Sequence, residues 1–70
     1  MSIERVVMLR NAVEDLCAAI DSGRVKPTEN EMLALATIVE REAGPLRHDL
    51  LVKLASRCRN GRAVLKRIAQ

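Results

Sequence analysis

Val6, Leu9, Val13, Leu16 and Ile20 recur at intervals of 3, 4, 3 and 4 residues. A helix gathers that spacing into one apolar seam, whereas a strand scatters it over both faces. The first third of the chain is therefore committed to an α-helix. Ile3, Val7, Ala12 and Cys17 widen the seam, and a stripe that broad packs against more than one neighbour. Helical spacing continues almost to the end, which makes the expected class all-α.

Local signals divide the helices. Helix 1 is expected over about residues 3–21, stopped by Gly23, with a loop at 22–27 reading SGRVKP. Thr28-Glu29-Asn30-Glu31 has the spacing of a capping box, in which a hydroxyl and a carboxylate satisfy each other's backbone N–H. Helix 2 follows over about 29–43. Its run MLALATIV, residues 32–39, is apolar almost all round, so helix 2 is expected as the buried centre. Gly44-Pro45 supplies a left-handed cap followed by a residue suited to a first helical turn. Helix 3, about 45–58, turns Leu46, Leu50, Leu51, Leu54 and Cys58 inward. Asn60-Gly61 signals a turn before a short helix 4, about 62–69, that buries Val64, Leu65 and Ile68. A kinked continuation of helix 3 is the alternative. With no repeats or linker, residues 1–70 read as a single small domain of three to four short helices.

Phe, Tyr and Trp are all absent, so the core is built from smaller aliphatic side chains. Below ~70–80 residues such a core is marginal without a disulfide, a metal or a second chain. Cys17 and Cys58 lie 41 positions apart on apolar stripes and lack ligand spacing, which makes them buried, reduced thiols. A second copy remains, and a homodimer is expected. The seam Val6, Leu9, Val13, Leu16 and Ile20 has two readings, intrachain core or core with a dimer contact, and its clean heptad phase leans to the second.

Side-chain chemistry argues against an enzyme. His48 is the sole histidine, and its neighbour Asp49 points elsewhere on a helix. The glycines stand singly at 23, 44 and 61, so no phosphate loop exists. No catalytic, cofactor-binding or metal-ligating residue is assigned, and no small-molecule substrate is expected. The apolar runs are too short for a membrane span, and MSIERVVMLR lacks a signal peptide's apolar core. A cytoplasmic protein with no membrane partner is the expectation.

Charge is the informative feature. Residues 1–46 hold five Lys/Arg and eight Asp/Glu, 5 − 8 = −3, while residues 47–70 hold seven and one, 7 − 1 = +6. Arg57, Arg59, Arg62, Lys66 and Arg67, with Arg47 and Lys53, form the candidate partner-binding set. Such a set meets an acidic protein surface, the chain's own acidic part, or duplex DNA. Without aromatic side chains for stacking, single-stranded nucleic acid is not expected. A helix-turn-helix register anchored at Gly44 puts Glu40 and Lys53 on core positions, and one anchored at Gly61 does the same to Arg57 and Arg67. The reading that follows is a small non-enzymatic regulatory or adaptor protein. It binds an acidic surface of a partner protein and modulates or inhibits it stoichiometrically. The alternative is a DNA-binding regulator using the basic C-terminal helices.

Overall fold

In the computed structural model, which describes residues 3–69 and side chains as far as residue 66, every regular element is helical. The order is α1 (Ile3–Asp21), α2 (Glu29–Glu42), a 3-10 turn at Gly44–Leu46, α3 (Arg47–Ala55) and α4 (Gly61–Ala69). Helix α1 stops as expected from Gly23. That residue takes φ 79°, while Gly23 N–H donates to the Ile20 carbonyl and Arg24 N–H to the Ala19 carbonyl. These two bonds satisfy carbonyls that the end of a helix leaves open. At the start of α2 both halves of the capping box form. Glu31 N–H donates to Thr28 Oγ1 at 3.1 Å, and Thr28 N–H donates to Glu31 Oε1 at 3.0 Å. Gly44, at φ 55°, makes the left-handed step between α2 and the turn that carries Pro45.

Helix α3 differs from its expected range of 45–58. Its start is the 3-10 turn, and its α-helical ladder ends at Ala55. Arg57 N–H donates to the Leu54 carbonyl and Cys58 N–H to the Ala55 carbonyl, so the hydrogen bonds shorten to three-residue steps. Gly61 then approaches so closely that a Cβ there would stand 2.7 Å from the Ala55 carbonyl oxygen. Helix α4 is thus a separate helix, turned back against α3 through residues 56–60.

The core joins Val13 and Cys17 of α1 to Met32, Ala36 and Val39 of α2. It continues through Leu50, Leu51 and Leu54 of α3 to Val64 of α4. Within the predicted seam Val13 is fully buried and Val6 nearly so, while Leu9, Leu16 and Ile20 are half-buried against the core. Helix α2 packs on α1, α3 and α4, yet it leaves Ile38 43 % exposed. Leu65 is also exposed, contrary to the expected inward face: Val64 takes the contact with the core, and the next residue on a helix points about 100° away. Ile68, expected beside it, lies outside the described side chains. The Cα radius of gyration is 11.3 Å, against ~11 Å for a compact chain of this length. The shortest dimension is only 16 Å, which explains why few side chains are covered from every direction.

Candidate functional site

The predicted basic set divides in two. Arg57 is turned back onto the chain. Its Nε and Nη2 donate to the two carboxylate oxygens of Asp21, at 2.9 and 2.8 Å, and its Nη1 donates to the Lys53 carbonyl and Ser56 Oγ, at 2.9 and 3.1 Å. This paired arrangement holds the Asp21 carboxyl below its ordinary range, chiefly through the hydrogen bond from Arg57. It also offsets a local conflict, because Asp21 is an acid at the negative end of α1, whose last turn has no basic residue. Lys53 is likewise engaged, 3.6 Å from Glu14, which also meets Arg10 at 4.0 Å. Arg47 is half-buried and has an interaction of its own.

Arg59, Arg62 and Lys66 form the outward group. All three are exposed and make no ion pair with a described residue. Arg62 and Lys66 stand four residues apart on α4 and share a face, with the exposed Leu65 beside them. Arg59 lies in the turn that delivers the chain to that face. The Arg67 side chain lies outside the described residues.

Sequence reasoning missed the concavity next to Arg59. A cleft of about 570 Å³ opens between the loop after α1 and the α3–α4 turn. Ile20, Val25, Pro27 and Met32 supply apolar lining, Lys26, Arg57 and Arg59 supply cations, and Glu29 is the one acid. Cys58 closes one wall, its S–H donating to the Leu54 carbonyl at 3.0 Å. Burial raises the Cys58 and Cys17 thiols above their ordinary pKa, so neither is primed as a thiolate. The cleft joins residues about thirty positions apart, and no local spacing announces that meeting.

Other chemical candidates stay dispersed. His48 and Asp49 are exposed at the start of α3. No cluster of three or more His, Cys, Asp or Glu able to hold a metal occurs among the described residues. The turn between α2 and α3 has helix-turn-helix length, yet α3 exposes His48, Asp49, Val52 and the paired Lys53. That outer face is nearly neutral. Between α3 and α4 lie the five residues 56–60, more than the three or four usual in that motif. No described helix is long and apolar enough to cross a membrane.

No protein family matches this chain, and no curated protein or solved structure matches it either.

Proposed function

We propose that this chain is a small non-enzymatic binding protein that docks on an acidic surface of a partner protein and modulates that partner stoichiometrically. The observation that supports the reading is the division of the basic cluster. Arg57 and Lys53 are paired within the chain with Asp21 and Glu14, while Arg59, Arg62 and Lys66 are exposed, the last two on the same helix as the exposed Leu65. Cations beside an exposed aliphatic side chain suit a protein surface, where an apolar contact is bordered by charge. Duplex DNA takes the cations equally well but gains little from the leucine.

Binding to soluble polyglutamate and to duplex DNA, each at low and at moderate salt, separates the two. Polyglutamate binding that is lost in the double variant Arg59→Glu, Arg62→Glu supports the reading. Tight, salt-sensitive duplex binding lost in the same variant, with none to polyglutamate, replaces it with DNA recognition.

We also propose self-association through the α1–α2 face. Met8 is 69 % and Ile38 43 % exposed, and Leu9 and Leu16 are half-buried. Met8 lines a shallow groove with Glu42, one turn beyond Ile38 on α2. A second copy seated there would complete the covering that the all-round apolar sequence of α2 asks for.

A further inference from the structure

We propose that the cleft between the α1–α2 loop and the α3–α4 turn is an anchor site for an acidic peptide segment that carries one large aliphatic side chain. This rests on the acidic-partner reading above and specifies which segment of such a partner is gripped. Ile20, Val25, Pro27 and Met32 give the cleft an apolar side, Met32 3 % exposed, Ile20 half-buried and Val25 open to solvent. An aliphatic side chain seated there loses water from much of its surface. The Cys58 thiol hydrogen is directed to the Leu54 carbonyl, so that wall has little further polar demand.

Charge selects what flanks the side chain. Lys26 and Arg59 line the cleft, are exposed and form no ion pair with a described residue. Carboxylates on either side of the aliphatic residue meet these two cations. Arg57 also lines the cleft, held in one pose by Asp21, the Lys53 carbonyl and Ser56. A wall already ordered loses little freedom when a ligand arrives. Glu29, the one acid on the lining, repels a carboxylate at its end of the cleft and so orients the segment.

Two short polyglutamate peptides, acetylated and amidated, test the site, one with a central leucine and one with glycine in its place. The leucine peptide is expected to bind about tenfold tighter or more. It is also expected to shift the Met32 methyl resonance, whereas the glycine peptide shifts only backbone amides near Arg59, Arg62 and Lys66. Val25→Glu, at a position 40 % exposed, is expected to keep the melting temperature and abolish the leucine preference. Equal binding with Met32 unmoved overturns the anchor site and leaves the acidic-partner reading standing. A leucine preference without a Met32 shift, or one that survives in Val25→Glu, overturns the anchor site as well. Absence of binding by either peptide at low salt overturns both.

Discussion

Arg57 and Asp21, 36 positions apart in the chain, meet through two parallel N–H···O bonds of 2.9 and 2.8 Å. The guanidinium thereby ties the turn after α3 to the end of α1. Its remaining contacts, to the Lys53 carbonyl and Ser56 Oγ, brace the point where α3 stops. Arg57→Ala is therefore expected to lower the melting temperature more than Arg59→Ala, whose exposed side chain makes no such contacts. Calorimetry of the two variants side by side checks the order. An equal effect removes the brace from the account.

Two carboxyls give acid stability a defined direction. Asp21 is held below its ordinary 3.8 by Arg57, and Glu31 below its ordinary 4.5 by bonds from Thr28. Both pKa values are lower in the folded state, so unfolding takes up protons as the medium becomes acidic. Their contribution is whole above the ordinary values and is lost as pH falls through the lower, folded ones. The melting temperature is expected to decline from about pH 4.5 downward. Asp21→Asn and Glu31→Gln are each expected to flatten part of that decline. An acid limb unchanged in the double variant contradicts the assignment.

The capping box gives a prediction that needs no titration. Thr28→Ala removes the hydroxyl that accepts the Glu31 N–H and should cost about 1 kcal/mol. Thr28→Ser keeps the oxygen and should restore most of the loss. Urea unfolding of the three proteins gives the comparison.

Gly61→Ala sets helix propensity against packing. Alanine is favoured over glycine within a helix by ~1 kcal/mol. Here its Cβ would stand 2.7 Å from a backbone oxygen, that of Ala55, which cannot rotate aside. Overpacking of this kind costs ~1–3 kcal/mol, so a net loss of stability is expected. A stabilised variant would mean that α4 sits farther from α3 than described.

Ile38→Glu addresses self-association. On a surface residue of a monomer the change should matter by no more than ~0.5 kcal/mol. In a dimer closed over the α1–α2 face it should halve the mass seen by light scattering and remove the dependence of melting temperature on protein concentration. A monomeric mass for the unaltered chain at micromolar concentration overturns the dimer.

What was legible in the sequence was local. Thr28 and Glu31 lie three positions apart, and Gly23 and Gly44 each follow a helical run. Their roles depend on a few neighbouring backbone groups, and the cap and both glycine stops form where spacing put them. The all-α class followed from the same apolar periodicity. Helix α3 was read too long because its end depends on α4 folding back, a tertiary contact that no window around residue 56 contains. Leu65 was read as buried because a seam drawn from spacing has width, and only the actual neighbour decides which residue is central. The basic cluster was visible as charge. That Arg57 would choose Asp21 while Arg59 faced the cleft depends on side chains converging across the fold.

The contact between Gly61 and the Ala55 carbonyl has a mechanical meaning for the surface that α4 presents. Two side chains in contact can change rotamer and let their helices slide, but main chain resting on main chain has no such freedom. The distance from α3 to α4 is thus fixed at its first turn by atoms that every residue possesses. The cations beyond that turn inherit a rigid origin. A bulkier residue at 61 would lever α4 about residues 56–60 and move Arg62 and Lys66 together relative to α3. The geometry of a charged surface would then be decided by the one residue in it that has no side chain.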